Sequence, residues 1–190
     1  MNMKISKGAA NLMYPCPVTL VTCRDSKGND NIITIAWIGV LGAKPPMIGI
    51  GLNKSRHSTA MIEDSGEFVV NIPGEDAFEE SDWCGCVSGK DVDKFGKAKF
   101  TKEPASRVKA PLIKECPVNI ECVVKEKLDL GAYRLFIGEV IETHADEGVL
   151  NEKGNIDFAK AAPFLYNVGE YWSIGSKKGL YGFAAKKFSD

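Results

Sequence analysis

The sequence predicts a mostly β protein folded around a closed or nearly closed barrel. Short β-branched runs recur at hairpin spacing, few segments have helical character, and no linker or internal repeat divides the chain. A length of 190 residues suits one domain of moderate size with a substantial core. We therefore expect a single domain over residues 1–190, with its core at about residues 10–175.

The first third of the chain carries the strongest strand signals. Residues 17–23 form a short β-branched run, and the polar segment 25–30 is typical of a hairpin turn in which Gly28 can adopt a positive φ. Residues 31–37 supply the return strand. After a pair of prolines, residues 47–52 form a third apolar run. These runs predict a hairpin followed by a further strand.

A short helix is predicted next. Residues 53–64 have helical character, Ser55 or Ser58 could cap the N-terminus, and Gly66 could end the helix. Residues 68–72 then form another strand.

The second half of the chain begins with a polar, irregular stretch at residues 75–110, which has helical potential near its start. Two long β-like runs, 118–128 and 133–144, follow with a short turn between them. Residues 164–172 end the ordered part, and the basic tail 176–190 is expected to be peripheral.

The composition is that of a nearly neutral globular protein. The chain has 24 Lys+Arg and 25 Asp+Glu, so it offers no basic stripe for nucleic acid. Its 44% hydrophobic and 26% charged residues exclude disordered and fibrous classes. No apolar run approaches the roughly 18 residues that span a bilayer, and the N-terminal segment lacks a signal-peptide apolar region. We expect a cytoplasmic protein with no nucleic-acid or membrane partner.

The cysteines predict buried thiols rather than a metal or catalytic centre. The six are Cys16, Cys23, Cys84, Cys86, Cys116 and Cys122. Most lie in or beside apolar runs, where a reduced cysteine packs as a small core residue. The C-x-C spacing is not that of a zinc site, and the chain has only two histidines. No metal site and no catalytic side chain are predicted.

The segment Ser55-Arg56-His57-Ser58 is a candidate phosphate cradle. It lies between a strand and a helix start, where free backbone N–H groups and the helix dipole favour an anion. Arg56 adds a planar fork of donors, and His57 and Ser58 add two more. The alternative is an ordinary capped surface helix with a solvated arginine.

Trp37 has two interpretations that the residues alone leave open. It is either a core aromatic or a wall beside a flat heterocycle. Asn31, Thr34 and Trp37 cannot all share one strand face unless a bulge intervenes, because side chains alternate along a strand. From the residues themselves, we predict a β-barrel with a phosphate-ended ligand as one interpretation.

A set of motifs runs in order along about residues 10–175. These motifs are Tyr14-Pro15-Cys16-Pro17-Val18, Ala36-Trp37, Lys44-Pro45-Pro46, Arg56-His57-Ser58, Gly66-Glu67-Phe68-Val69-Val70-Asn71-Ile72-Pro73, Ser88-Gly89-Lys90-Asp91-Val92-Asp93-Lys94-Phe95, Lys109-Ala110-Pro111-Leu112, Ile137-Gly138-Glu139-Val140 and Gly169-Glu170-Tyr171-Trp172. The set resembles the flavin reductase-like family of FMN-binding split barrels, in particular its flavoredoxin branch. No single motif is diagnostic, but the ordered set is specific.

The resemblance implies a mainly β, Greek-key FMN-binding split barrel with a few short helices, homodimeric, with FMN near the subunit interface. It implies that residues 31–37 line the isoalloxazine ring and that Arg56, His57 and Ser58 hold the phosphate. The implied cofactor-binding residues are Asn31, Ile32, Ile33, Thr34, Ala36, Trp37, Ser55, Arg56, His57, Ser58, Asn71, Lys94, Tyr133 and Tyr166.

Three functions stay open on this basis. The first is an electron-transfer protein with tightly held FMN, which exchanges electrons with a redox partner protein. The second is an NAD(P)H:flavin oxidoreductase that supplies reduced flavin to a partner enzyme. The third is a non-catalytic β-barrel binding module. In the first two the flavin carries the chemistry, which agrees with the absence of catalytic motifs in the sequence.

Overall fold

The chain is built around a seven-stranded antiparallel sheet in a computed structural model that describes residues 3–185. The strands are β1 (Cys16–Pro17), β2 (Thr19–Arg24), β3 (Asp30–Ile35), β4 (Ile38–Ala43), β5 (Pro46–Asn53), β6 (Glu67–Ile72), β7 (Lys102–Glu103), β8 (Leu112–Ile113), β9 (Val118–Leu130), β10 (Tyr133–Ala145), β11 (Phe164–Asn167) and β12 (Glu170–Ser173). The helices are α1 (His57–Ser65), α2 (Phe78–Cys86), α3 (Lys94–Ala98) and α4 (Phe158–Ala161), with 3₁₀ turns at Glu75–Ala77 and Glu147–Val149. Residues 186–190 of the predicted basic tail lie outside the described residues.

The large sheet curls into a barrel with one open seam. Its strand order is β3-β2-β6-β9-β10-β5-β4, so β6 returns to lie beside β2 after the series β2 to β5, as in a Greek key. The two edge strands, β3 and β4, are joined by residues 36–37 alone, which forces the edges together. Among the described residues each edge strand has one ladder partner, β2 for β3 and β5 for β4. The predicted mainly β Greek-key split barrel is confirmed.

The barrel interior is filled by alternate residues of its strands and closed by α1. The main core contains Val21, Cys23, Ile33, Ile35, Ile48, Ile50, Leu52, Met61, Ile62, Phe68, Val70, Cys122 and Phe136. The intervening residues of β2 and β3 face outward. There Leu20 and Ile32 pack against Cys84 of α2 and Phe95 of α3. Both faces of β2 and β3 are therefore buried, one in the barrel core and the other under α2 and α3.

A glycine permits a tight contact in the core of the barrel. A Cβ at Gly138 would lie 2.7 Å from Phe68 Cζ and 3.1 Å from Cys122 Cβ. Both neighbours are fully buried, so neither can move without disturbing the core. The β9–β10 register also shifts between Ile137 and Gly138, a bulge that bends the strands as the sheet curls.

A fully buried carboxylate anchors the loop that precedes β8. Glu121 Oε1 accepts hydrogen bonds from Ser106 N and Ser106 Oγ, both at 2.8 Å, and lies 2.6 Å from His144 Nε2. Its Oε2 accepts from Arg107 N at 2.7 Å and Val108 N at 2.9 Å. Burial acts to raise the pKa of Glu121, but the hydrogen bonds from His144, Ser106 and Arg107 outweigh it and hold the pKa at about 2.

Helix α1 begins later than the sequence pattern predicts. Residues 53–56 end β5 and turn, and the helix then runs from His57 to Ser65. The N-cap residue is Arg56, not Ser55 or Ser58, and no side chain caps the first turn. The predicted stop is confirmed, since Gly66 adopts a φ of 71°.

The remaining elements flank the barrel. Strands β1, β11 and β12 form a three-stranded sheet, and β7 pairs with β8. Strand β4 and helix α3 had no predicted counterpart. Within residues 3–185 no helix combines the length and the apolar character needed to cross a bilayer.

Candidate functional site

A cavity of about 450 Å³ opens at the seam where the two sheet edges meet. It is lined by Tyr14, Ile33, Thr34, Ile35, Ala36, Trp37, Gly51, Leu52, Asn53, Ser55, Arg56, Tyr133 and Tyr166. Its volume lies in the range of about 300–1,000 Å³ that is usual for small-molecule sites. None of these lining residues is acidic and Arg56 alone is cationic, so most of the wall is neutral. We call this space the ring cavity.

Aromatic side chains form much of the wall of the ring cavity. Trp37 and Tyr133 have ring centroids 4.9 Å apart at an interplanar angle of 43°, and Tyr14 and Tyr166 meet edge to face at 5.9 Å. Trp37 is 41% exposed, so it is not a core residue. Its backbone carbonyl accepts a hydrogen bond from Gly51 N at 2.9 Å, which ties the residue to β5. The surface offered is flat, aromatic and partly open to solvent.

A second cavity of about 180 Å³ adjoins the first. It is lined by Asn31, Ile33, Ser55, Arg56, His57, Ser58, Val87, Ser88, Gly89 and Lys94. Ile33, Ser55 and Arg56 line both cavities, so the two spaces are continuous. Arg56 and Lys94 bring two cations to the second cavity, and none of its lining residues is acidic. We call it the cationic cavity.

The N-terminus of α1 forms one side of the cationic cavity. No side chain caps this nine-residue helix, and its first turn contains no acidic residue. The first N–H groups of a helix carry partial positive charge and point outward, so they favour an anion. Arg56 is exposed, and its Nη1 makes one long contact, 3.4 Å, with Gly85 O. The guanidinium is therefore available to a ligand.

Ser58 is held in place by a buried amide. Asn31 Nδ2 donates a hydrogen bond to Ser58 Oγ at 2.8 Å, and both side chains are buried. Because Ser58 Oγ accepts here, its own hydrogen is left to be donated, and the buried thiol of Cys23 is one acceptor within its reach. A Cβ at Gly89 would collide with the Asn31 side chain, so glycine lets the loop close tightly over this pair.

Lys94 is a buried cation held by backbone carbonyls. Its Nζ donates to Ile32 O at 2.8 Å and to Cys84 O at 2.6 Å. Burial lowers the pKa of Lys94, and neighbouring Arg56 lowers it further. Among the described residues no carboxylate pairs with this ammonium group. An anion in the cationic cavity would relieve that imbalance.

The structure brings most of the predicted binding residues together. Those lining one or both cavities are Asn31, Ile33, Thr34, Ala36, Trp37, Ser55, Arg56, His57, Ser58, Lys94, Tyr133 and Tyr166. The remaining two, Ile32 and Asn71, line neither cavity. The Ile32 side chain packs outward against α2 and α3, and only its carbonyl contributes, through Lys94. Asn71 bridges strands: its Nδ2 donates to Leu20 O and its Oδ1 accepts from Ile113 N.

Several lining residues were absent from the predicted set. In the ring cavity these are Tyr14, Gly51, Leu52 and Asn53, and in the cationic cavity Val87, Ser88 and Gly89. Tyr14 and the Ser88-Gly89 pair lie in motifs that the sequence already marks. The others carry no chemical signal, because they line the cavities through ordinary strand and loop positions.

The cysteines are reduced throughout the described residues. Cys86 is exposed and the others are buried. Burial raises the pKa of Cys23 to about 12 and that of Cys84 to about 11, so both are inert thiols at neutral pH. In the part of the chain that the structure describes, no group of three or more His, Cys, Asp or Glu side chains could hold a metal ion.

The fold and the two joined cavities define a split-barrel protein in which a neutral aromatic cavity opens into a cationic one. The chain belongs to the flavin reductase-like domain family, whose family model matches residues 11–175.

Solved structures agree with this family. The chain is 34% identical to a flavoredoxin from Methanosarcina acetivorans, with a TM-score of 0.89 and full coverage of both chains (100% and 100%). It is 31% identical to the flavoredoxin of Desulfovibrio vulgaris (Miyazaki F), with a TM-score of 0.90 over 96% of this chain and 100% of the other. An FMN-binding domain of a flavin reductases-like enzyme from Shewanella baltica OS155 is 27% identical, with a TM-score of 0.76 over 86% and 88% of the two chains.

Proposed function

We propose that this protein binds FMN and acts in electron transfer, as a flavoredoxin-like protein. One observation carries the proposal: a neutral aromatic cavity opens directly into a cationic cavity at an uncapped helix N-terminus. FMN has the matching construction, a flat ring system joined through a short chain to a phosphate. The flavoredoxin structures, which match over nearly the whole chain, support the choice of electron transfer.

The residues present fit FMN at both ends. In the proposed complex the adjoining rings of Trp37 and Tyr133 lie together against one side of the isoalloxazine ring and exclude water from it. Arg56, His57 and Ser58 hold the phosphate with the first N–H groups of α1.

The chain itself needs to supply little chemistry. Bound FMN provides the reversible uptake and release of electrons. The aromatic wall positions the ring, and Lys94 keeps positive charge in the adjoining cavity, where it favours anionic groups. No side chain has to act as a nucleophile or as one of a pair of acid–base carboxylates.

The second candidate function is an NAD(P)H:flavin oxidoreductase that supplies reduced flavin to a partner enzyme. The observation that favours it is the openness of the site. Arg56 and Ser55 are exposed and Trp37 is partly exposed, so a bound flavin could exchange with solvent.

The visible absorption spectrum of the purified protein tests both functions. We expect two flavin bands, in the purified protein or after addition of FMN. If the bands persist anaerobically with NADH or NADPH and bleach only with dithionite, electron transfer from a protein donor is supported. Bleaching by a nicotinamide, with turnover of free flavin, would favour the oxidoreductase. A protein that stays colourless and does not bind FMN would contradict both.

We also propose that the protein is a homodimer, with a second copy covering edge strand β4. Val40 is 80% exposed and Leu41 is 55% exposed on this strand. Leu41 also lines an apolar cavity of about 440 Å³, together with Met13, Trp37 and Leu135. An exposed apolar edge strand normally requires protection.

Analytical ultracentrifugation tests the dimer. We expect twice the 20.7 kDa chain mass for the natural protein and dissociation for Val40→Lys. A natural protein that sediments as a monomer, or a Val40→Lys variant that stays dimeric, would contradict the arrangement.

A further inference from the structure

An aromatic groove of about 250 Å³ lies between helix α2 and strand β12, outside the two cavities already described. It is lined by Glu75, Phe78, Phe164, Tyr171, Trp172 and Ser173. The Phe78 and Tyr171 rings meet edge to face at 5.2 Å. Phe78 is 41% exposed and Trp172 is 54% exposed, so large aromatic surfaces face solvent at the rim. Exposed aromatic clusters of this kind are typical anchors of protein interfaces.

Carboxylates border the groove along α2 and at the start of β12, while Lys177 and Lys178 follow β12 in the chain. Residues 57–89 contain no Lys or Arg but carry Glu63, Asp64, Glu67, Glu75, Asp76, Glu79, Glu80 and Asp82. Of these, Glu75, Asp76, Glu79 and Asp82 lie exposed on or just before α2, and Glu170 is exposed at the start of β12. The negative surface is wider than the groove itself, which suits a protein rather than a small cation.

Two of these carboxylates accept hydrogen bonds from the aromatic side chains of the groove. Tyr171 donates its hydroxyl hydrogen to Asp82 Oδ1 at 2.8 Å, and Trp172 Nε1 donates to Glu170 Oε2 at 3.0 Å. Burial and the hydrogen bond to Asp82 both raise the pKa of Tyr171. Aromatic faces held beside carboxylates attract lysine and arginine side chains, through cation–π and ionic contacts together.

The groove lies close to the ring cavity. A further cavity, of about 370 Å³, is lined by Tyr171 of the groove and by Thr34, Ala36 and Tyr166 of the ring cavity. The rings of Tyr166 and Tyr171 are 5.8 Å apart. Two neighbouring aromatic rings therefore connect the groove with the candidate flavin site.

We propose that this groove is the docking site for a positively charged redox protein, whose lysine or arginine side chains enter between Phe78, Tyr171 and Trp172. The redox character of the partner rests on the proposed function, because docking here would place the partner beside the flavin. The recognition itself rests on the groove and its charge.

Isothermal titration calorimetry with cytochrome c, a basic haem protein, tests the proposal on the FMN-loaded protein. We expect binding at about 20 mM salt that weakens at least about tenfold at about 200 mM, because screening shortens the range of the attraction. The variant Glu75→Lys/Glu79→Lys should lower the affinity by about tenfold or more. The matched control Glu126→Lys/Glu142→Lys changes the net charge equally on the β9–β10 hairpin, where both residues are exposed. It should lower the affinity less than about threefold.

A second variant separates the aromatic contribution from overall charge. Trp172→Ala leaves the net charge unchanged and should lower the affinity about fivefold if a cation packs on the indole. No binding at low salt, or equal losses for the two double variants, would overturn the proposal. Repeating the titration without FMN distinguishes failure of the docking site from failure of the proposed flavin function. Binding that depends on Glu75 and Glu79 in a protein that cannot bind FMN would keep the docking site and refute the flavin function.

Discussion

Replacing Arg56 with alanine tests whether the cationic cavity holds a phosphate. The guanidinium is exposed, and within residues 3–185 its one hydrogen bond is the 3.4 Å contact of Nη1 with Gly85 O. Its loss should therefore leave the fold intact. A change in ligand affinity can then be attributed to the missing donor rather than to unfolding.

The expected magnitude follows from the position of Arg56. A hydrogen bond to a charged group contributes about 1.5–3 kcal/mol, and each 1.4 kcal/mol is a factor of about ten in affinity. Because Arg56 is exposed, solvent screening places the effect near the lower end of that range. We expect the Kd for FMN to rise about 10- to 30-fold. Riboflavin has the same ring but no phosphate, so its Kd should change by less than about twofold.

Quenching of flavin fluorescence during titration measures both constants. Arg107→Ala is the matched control, since Arg107 is also exposed but lies on the loop anchored by Glu121, away from the cavities. It should leave both affinities unchanged. Equal losses for FMN and riboflavin in Arg56→Ala, or an equal loss of FMN binding in Arg107→Ala, would refute the phosphate assignment.

Three further predictions concern the ring cavity, the core and the buried carboxylate. Trp37→Ala should weaken FMN binding about tenfold by removing one aromatic wall, and unchanged affinity in a fluorescence titration would exclude Trp37 from the site. Gly138→Ala should lower the free energy of unfolding by about 1–3 kcal/mol, because the new Cβ meets Phe68; urea denaturation would show no loss if the core can relax. Glu121 has a pKa of about 2 in the folded protein against an ordinary 4.5, so its ionised carboxylate stabilises the fold at pH values above 4.5. This stabilisation should be lost as the pH falls from about 5 to about 2. Glu121→Gln should flatten that part of the pH–stability curve, and an unchanged slope would assign it to other groups.

Most of the fold could be predicted from local patterns, because strands β2, β3, β5, β6, β9 and β10 are marked by β-branched runs and bounded by turn residues. Gly28 adopts the predicted positive φ in the first hairpin. Strand β4 escaped prediction because Gly39 and Gly42 dilute its apolar pattern and because its residues are mostly exposed. An edge strand of this kind is specified by pairing with β5, which single-sequence periodicity does not reveal.

The candidate site, too, could be predicted only in part from the sequence. Arg56, His57 and Ser58 could be predicted because a helix start between polar donors has a direct chemical meaning. The side on which Trp37 lies relative to Asn31 and Thr34 could not be predicted, because strand alternation was assumed to continue through residue 37. Strand β3 ends at Ile35, and Trp37 belongs to the two-residue connection between the sheet edges, so alternation no longer governs its direction.

The seam of the barrel has a consequence for how the protein loses its structure. Along β3 and β4 the backbone is paired on one side only, but β3 is buried whereas β4 is mostly exposed, so local opening should begin at β4. The candidate ligand would lie across this weakest line and touch β3, β5 and α1 at once. By mass action, an occupant at about 100 times its Kd adds about 2.7 kcal/mol to the stability of the folded state. A cofactor of the proposed kind would then stabilise the fold across its open seam, and the folded fraction of the chain would depend on the cofactor concentration.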